Sequence, residues 1–124
     1  MDKKKLSERD ICTKYITPSL ELSKWDINNQ VREEVTFTLG RIHVKGKLAS
    51  RGKFKRADYI LYYKPNLPLA IIEAKDNNHS IGAGIQQALD YAVCMDIPFA
   101  YSSNGDGFIE HDRTVSKGAV EREV

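Results

Sequence analysis

The sequence predicts an α/β (α+β) fold, a mixed central β-sheet flanked by helices, in one domain covering residues 1–124. The chain has 124 residues, of which 41% are hydrophobic, and a chain of this size can bury a core without disulfides. Its hydrophobic period is helical near the N-terminus, strand-like from Val35 to Lys75, and helical again from Ile81. The resulting order α, β, β, β, β, α, β, β is typical of a mixed sheet with flanking helices.

The first element is an N-terminal helix that we expect Ser7 to cap. Glu8 and Asp10 suit its first turn, where the backbone amides carry partial positive charge. The apolar residues that form its buried stripe are Leu6, Ile11, Tyr15 and Ile16. The pair Thr17-Pro18 should interrupt the helix, because proline lacks a donor and restricts the residue before it. A second short helix is then expected from Pro18 to about Ser23.

The remaining elements alternate between strands and one long helix. Two strand pairs are expected, one around Leu39-Gly40 and one around a turn at residues 64–68 that is rich in Pro and Asn. In chain order, the predicted elements are strands Val35–Thr38, Arg41–Val44, Ala57–Tyr63 and Leu69–Lys75, helix Ile81–Met95, and strands Pro98–Ser102 and Phe108–Glu110. The core therefore spans about residues 7–112, and residues 113–124 form a polar tail.

The second strand pair brings three charged residues together. If its turn centres between Asn66 and Leu67, residue 63 pairs with 70, residue 60 with 73, and residue 58 with 75. Asp58 then lies opposite Lys75 and diagonal to Glu73, on the same face of the sheet. A slip of one residue would place Asp58 on the other face, so the arrangement depends on the register.

Two acids beside one base form a set that suits phosphodiester hydrolysis. Mg²⁺ prefers oxygen ligands and usually takes one or two carboxylates, which Asp58 and Glu73 can supply together with the carbonyl of Ala74. A cation held there polarises a phosphate and makes water more acidic, while Lys75 orients or deprotonates that water. By spacing alone, a surface salt bridge at the end of a strand explains the pattern about as well.

A basic run precedes the first of these acids. From Arg41 to Arg56 the chain carries seven cations and no Asp or Glu. Such a run can follow a nucleic-acid backbone, but it can equally be a loop that is charged for solubility. The residues that we expect to bind DNA are Arg51, Lys53, Lys55 and Arg56.

The motifs resemble those of a known nuclease family. Asp58 followed by Glu73-Ala74-Lys75 is similar to the PD-(D/E)xK motif, although Ala57 stands where that motif has proline. Gln87 and Tyr91 resemble the accessory QxxxY motif of a subset of these nucleases. The wider sequence is similar to the N-terminal nuclease domain of type I restriction enzyme R subunits, from about Ser7 to Asp112. The segments that carry this similarity are Ile11–Trp25, Lys53–Tyr63, Ile72–Asp76 and Ser103–Phe108.

The resemblance implies a Mg²⁺-dependent endonuclease, with Mn²⁺ as a substitute, on a restriction-endonuclease-like core. It gives Gln87 and Tyr91 catalytic roles in positioning Lys75 or the DNA backbone. It also suggests Glu8 as a further metal ligand, although a first-turn glutamate favoured by the helix dipole is the more common explanation. The alternative to an enzyme is a DNA-binding or assembly module that has the nuclease fold but no activity of its own.

The resemblance also implies the context of the domain. It predicts that the chain is the first part of a larger R subunit, which binds double-stranded DNA with methylation and specificity subunits and cleaves at non-specific positions. ATP is expected only for the motor domains of that subunit, because Gly40–Leu48 lacks the glycine spacing and the Ser or Thr of a P-loop.

Other features of the sequence suggest a cytoplasmic protein with no membrane partner. The charged segment Met1–Lys5 is not followed by an apolar run that could act as a signal peptide or membrane span. Cys12 and Cys94 show no metal-site or disulfide spacing, so they are expected to be free thiols of the core.

Overall fold

The N-terminal segment folds as one continuous helical stretch with a local change of period. In the computed structural model, which describes residues 3–38, 41–42, 55–64, 67–114 and 121–123, Ser7 caps helix α1 (Glu8–Ile11) through a capping box with Asp10. A π-helical turn (Cys12–Ile16) then leads into helix α2 (Thr17–Leu22).

The predicted interruption at Thr17-Pro18 is therefore wrong, although the second helix ends close to where the sequence places it. Pro18 lies in the first turn of α2, where a missing backbone donor costs little. The turn before it widens to a π period, and the amide of Thr17 donates to the carbonyl of Cys12. A π turn of this kind lets a helix continue past a proline instead of ending.

Seven strands form one sheet in the order β2-β1-β3-β4-β5-β6-β7. The strands are β1 (Val31–Thr38), β2 (Arg41–Ile42), β3 (Lys55–Lys64), β4 (Leu67–Ala74), β5 (Phe99–Ser103), β6 (Phe108–Asp112) and β7 (Glu121–Glu123). All neighbours are antiparallel except β4 and β5, which are parallel and joined through helix α3 (Ile85–Met95). The predicted mixed sheet with flanking helices is confirmed.

The register of β3 and β4 differs from the predicted one by two residues. Tyr59 pairs with Ile72 and Leu61 with Ala70, and β4 already begins at Leu67. The predicted turn at residues 64–68 includes Pro68. The structure instead accepts Pro68 within the strand at a register shift. An offset of two residues preserves the face of a side chain along a regular ladder, and it brings Asp58 towards Glu73 instead of Lys75.

Each face of the sheet buries its own hydrophobic cluster. The N-terminal helices cover one face, where Ile11 and Ile16 pack with Tyr59 and Ile72. Helix α3 covers the other face. Cys12 is buried in the first cluster and Cys94 is half-buried beside the second, and both are free thiols. None of the helices that the structure describes combines the length and the apolar character needed to cross a membrane.

A clasp of polar side chains fixes the segment that follows β4. The side-chain amide of Asn77 donates to the backbone carbonyl of Asn104 at 2.9 Å. The side-chain amide of Asn104 donates to the backbone carbonyl of His79 at 2.7 Å. Lys4 reaches the carbonyl of Asn77 from the N-terminus. Both asparagines are buried, so these bonds hold the chain in place directly after Lys75.

Candidate active site

Asp58 and Glu73 interlock where β3 begins and β4 ends. The backbone amide of Asp58 donates to Glu73 Oε2 at 2.9 Å, and the amide of Ala74 donates to Asp58 Oδ2 at 2.8 Å. Each carboxylate thus accepts a backbone amide of the opposite strand, in place of the carbonyl that would accept it in a regular ladder. The backbone of the opposite strand therefore fixes the position of each carboxylate. One oxygen of each carboxylate is left outside these two bonds.

The backbone of β1 is irregular beside this pair. Glu33 pairs with Tyr59 and Val35 with Ala57, while Glu34 between them has a φ of 53°. This left-handed residue interrupts the ladder beside Asp58, and such strained positions occur often at functional sites. The burial pattern changes at the same place, because Ala57 packs against the α3 cluster and Tyr59 against the other one.

Lys75 follows the carboxylate pair directly. Its backbone amide donates to the carbonyl of Ser103 at 2.9 Å, which extends the parallel pairing of β4 and β5 by one bond. Its side chain is half-buried and lines the same cleft as both acids. Among the described residues, no direct ion pair joins Lys75 to Asp58 or Glu73, so the arrangement is not the surface salt bridge that spacing alone allowed.

Burial and mutual repulsion disfavour negative charge on these acids. Glu73 is only 3% exposed, and its burial, followed by the negative charge of Asp58, raises its pKa to about 8. Burial also raises the pKa of Asp58, against the hydrogen bond from the amide of Ala74. A bound cation would reverse this balance, since it favours the charged forms.

Because of this shift, the stability of the metal-free domain is expected to fall as pH rises. Between the ordinary pKa of 4.5 and about 8, folded Glu73 keeps a proton that the unfolded chain releases. The contribution of Glu73 to the free energy of unfolding should therefore be greatest below pH 4.5. Between pH 4.5 and about pH 8 it should decrease by up to about 1.4 kcal/mol per pH unit. Urea unfolding in EDTA at several pH values measures the slope. The Glu73→Gln variant should flatten it, and an equal slope in that variant would refute the assignment.

One wall of the cleft comes from helix α3. The amide of Gln87 donates to the Tyr91 hydroxyl at 2.7 Å, which confirms that the two residues share one face of the helix. The Tyr91 ring packs edge-on against Phe37 at 5.0 Å, and Lys55 Nζ lies 5.8 Å from the centre of the same ring. The structure thus brings both residues of the QxxxY-like motif and one predicted DNA-binding cation to the site.

The opposite wall carries a network of exposed charges. Arg56 lines the cleft and lies 3.3 Å from Glu34, which also binds Arg9 at 3.0 Å. Exposed pairs of this kind contribute little to stability, so they do not commit Arg56 to a structural role. The two other predicted DNA-binding residues, Arg51 and Lys53, lie outside the described residues.

Glu8 reaches the rim of the cleft from the first turn of α1. The residue is largely exposed, but its carboxyl is partly buried towards the site. This burial, followed by the negative charge of Asp58, raises its pKa, and the positive charge of Lys75 opposes the shift. Glu8 therefore shares the electrostatic environment of Asp58 and Lys75.

The donor set fits a cation that keeps much of its hydration. Within the described part of the chain, no cluster of three His, Cys, Asp or Glu side chains is close enough to hold a metal ion. A metal ion in this cleft would therefore have the carboxylates of Asp58 and Glu73 as its two side-chain ligands. Mg²⁺ accepts such a set, because it commonly takes one or two carboxylates and completes its shell with water and phosphate oxygens.

Size alone does not identify the site. The charged cleft has a volume of about 460 Å³ and is lined by Glu8, Lys55, Arg56, Asp58, Glu73, Ala74, Lys75, Gln87 and Tyr91. A larger cavity of about 530 Å³ lies on the face that α3 does not cover, with mostly apolar walls such as Trp25, Phe99 and Phe108. The smaller cleft holds the converging acids and the lysine, and these make it the candidate site.

Two residues beside the site were not predicted from the sequence. Ser102 is the register partner of Glu73 in β5, and Gly84 begins the turn of α3 that packs against Glu73. The available signals were a pair of serines at the end of an apolar strand and a glycine directly before a helix. Neither signal is specific without the tertiary contact.

Comparison with known proteins identifies the family. A sequence model described as "Type I restriction enzyme R protein N terminus" matches residues 21–122. The chain therefore belongs to the family of type I restriction enzyme R proteins and represents their N-terminal region. This confirms the predicted resemblance to the N-terminal region of type I restriction enzyme R subunits.

Two relatives show how the chain compares with longer proteins. It is 46% identical over 120 residues to the EcoAI type I restriction enzyme endonuclease subunit of Escherichia coli, a match that covers 96% of this chain and 15% of that subunit. The structure resembles a fragment assigned to an HsdR subunit of a type I restriction enzyme from Vibrio vulnificus YJ016. That match has a TM-score of 0.78 and 43% identity, and it covers 96% of this chain and 23% of the fragment.

Proposed function

We propose that this chain is the DNA-cleaving domain of a type I restriction enzyme R subunit, acting as a Mg²⁺-dependent endonuclease of the PD-(D/E)xK kind. The observation that carries the proposal is the interlocked pair Asp58 and Glu73, with Lys75 immediately after it in the same cleft. A related subunit is described as an endonuclease, which supports the same class of activity.

The carboxylates of Asp58 and Glu73 would hold the metal, with Mn²⁺ able to replace Mg²⁺. The Ala74 carbonyl and Glu8 are further candidate ligands. When bound, the cation supplies positive charge that polarises the scissile phosphate and makes water more acidic. The two interstrand hydrogen bonds hold both carboxylates in place before the metal arrives, so little reorganisation is needed on binding.

Lys75 is the residue that we assign to the attacking water. In hydrolysis the water oxygen bonds to phosphorus while the bond to the departing sugar oxygen breaks; the water loses one proton, and the sugar oxygen takes up one to leave as a hydroxyl. Lys75 orients this water or accepts its proton, and its positive charge offsets the charge that develops on the phosphate. Gln87 and Tyr91 form the wall beside it and position Lys75 or the DNA backbone.

The cations around the cleft supply affinity for double-stranded DNA without base recognition. Lys55 and Arg56 line the same cleft as the carboxylates, where each can contact a phosphate. Arg51 and Lys53 are assigned to the same role from the sequence. Because phosphate contacts carry no sequence information, we propose that cleavage is non-specific and that methylation and specificity subunits choose the DNA site in a cytoplasmic complex. The chain spans about 15% of its curated relative, and any use of ATP belongs to other parts of such a subunit.

Crystals grown with a short DNA duplex and Mn²⁺, measured for anomalous scattering, test the proposal. We expect a peak bound by Asp58 and Glu73 and by a phosphate oxygen, with Lys75 within reach of a water at the phosphorus. Plasmid nicking by the same protein in Mg²⁺ gives the matching activity. A filled DNA groove with no anomalous peak at the two carboxylates, and no nicking in Mg²⁺ or Mn²⁺, would favour the alternative of a DNA-binding or assembly module.

A further inference from the structure

One buried hydroxyl joins the start of helix α3 to the strand beside Glu73. Ser102 in β5 is fully buried, and its hydroxyl donates to the carbonyl of Ile81 at 2.7 Å. The same oxygen accepts the backbone amide of Gly84 at 3.0 Å. Helix α3 has no side-chain cap of its own at Gly84, so a residue from another element satisfies a group that the helix leaves open.

The absence of a side chain at Gly84 lets the helix approach this closely. A Cβ atom at Gly84 would lie 3.1 Å from Ser102 Oγ and 3.3 Å from Glu73 Cβ, closer than ordinary van der Waals contact. Gly82, two residues earlier, is different. A Cβ atom there would meet only Ile109, at an ordinary 3.6 Å. The close approach to Glu73 is therefore a property of Gly84 and not of glycine in this turn generally.

The contact lies beside the proposed chemistry although neither residue lines the cleft. Glu73 and Ser102 are partners in the parallel pairing of β4 and β5, so the hydroxyl ties α3 to the strand position next to a metal-binding carboxylate. One and two turns further along, the same helix carries Gln87 and Tyr91 into the cleft. Any displacement of the first turn of α3 moves both residues relative to Glu73.

We infer that Ser102 and Gly84 act as a positioning pair, which sets the distance between Glu73 and the α3 wall that carries Gln87 and Tyr91. Neither residue touches the substrate, and their effect is exerted through the helix. This inference rests on the proposed function of the cleft, because the distance matters for turnover only if the cleft cleaves DNA.

A matched pair of serine substitutions tests the inference. Ser103 is as deeply buried as Ser102, at 1% exposure, but its hydroxyl accepts the amide of Gly105 in the β5–β6 turn instead of contacting α3. Ser102→Ala should lower the single-turnover cleavage rate at saturating DNA by about 10- to 100-fold, with little change in DNA affinity. Ser103→Ala should change that rate by less than about 3-fold. Ser102→Thr, which keeps the hydroxyl, should recover part of the loss.

A matched pair of glycine substitutions gives a second test, which remains usable if Ser102→Ala fails to fold. Gly84→Ala should lower the cleavage rate in the same way, whereas Gly82→Ala should leave it unchanged. Circular dichroism confirms that each variant is folded. Equal losses for Ser102→Ala and Ser103→Ala, or for the two glycine variants, would mean that only general stability is affected and would overturn the inference.

Hydrogen exchange separates failure of the inference from failure of the proposed function. In Ser102→Ala the amides of the first turn of α3 should exchange faster than in the unaltered chain, while those of β3 stay protected. If the unaltered chain does not cleave DNA in Mg²⁺ or Mn²⁺, the proposed function fails and exchange alone decides. Unchanged exchange at Gly84 and in the first turn would then overturn the positioning role.

Discussion

A Glu73→Gln substitution is expected to abolish metal-dependent cleavage and at the same time stabilise the metal-free domain. The amide keeps an oxygen that can accept the bond from the Asp58 amide, so the fold is preserved. It removes one of the two carboxylates that we propose as ligands of the cation. Burial and the charge of Asp58 force folded Glu73 to keep a proton at pH 7 that the unfolded chain releases, and this cost disappears in the amide.

The two effects have opposite signs, which makes the result informative. Cleavage should fall by more than about 100-fold, since even the loss of an outer partner of a metal site can cost that much. The free energy of unfolding in EDTA at pH 7 should rise by about 1 to 3 kcal/mol. Plasmid nicking and urea unfolding measure the two quantities.

Glu110→Gln is the matched control for this experiment. Glu110 is also buried, at 7% exposure, but it accepts the Tyr101 hydroxyl and lines the apolar cavity, not the charged cleft. Its substitution should leave cleavage unchanged. If Glu73→Gln destabilised the domain without affecting nicking, Glu73 would be a structural residue and the metal assignment would be wrong.

Much of the fold was predictable because most elements carry their own local signals. The helix at Ser7, the strands around residues 58 and 73, and the turn before Phe108 were all recognised from capping residues, alternation and turn residues. The rules for proline failed where the surrounding structure removed the energetic cost that they assign to a proline in a helix or strand. Pro18 is accepted because a π turn precedes it, and Pro68 is accepted at an irregular point of the sheet.

The clustering of site residues was predictable for a different reason. In a regular strand the face depends only on whether an offset is odd or even, so an error of two residues in the β3–β4 register still brought Asp58 and Glu73 together, although the alternation of β3 changes between Ala57 and Tyr59. The consequence of the error was local: the backbone amide of Asp58 donates to the Glu73 carboxylate, and the backbone amide of Ala74 donates to the Asp58 carboxylate. Those bonds could not have been inferred, because each joins a side chain to the backbone of the other strand and leaves no pattern in the sequence.

The contribution of Ser102 and Gly84 was beyond sequence reasoning altogether. A serine in a strand and a glycine before a helix are both common, and they gain meaning only where β5 and α3 meet beside Glu73. Contacts between elements that are distant in sequence have no local pattern. Whether such contacts form depends on differences of a few tenths of an ångström in packing distance.

A Lys75→Ala substitution is expected to lower the cleavage rate at saturating DNA by about 10²- to 10⁴-fold, the range typical of a lost general base or acid. The metal should still bind, because Asp58 and Glu73 are unchanged and lose only a favourable positive charge nearby. DNA affinity should decrease by no more than one phosphate contact would contribute. Single-turnover cleavage, fluorescence anisotropy with labelled duplex, and Mn²⁺ titration separate these three quantities.

Lys64→Ala provides the control for the loss of one positive charge. Lys64 lies at the far end of β3, exposed and beside the Tyr63 ring, away from the cleft. Its removal changes the net charge by the same amount, so it should reproduce any general effect on DNA attraction but none on turnover. If both lysine variants lost affinity and rate in parallel, Lys75 would only attract DNA. A rate loss confined to Lys75→Ala, with Mn²⁺ and DNA still bound, would place Lys75 at the reacting water.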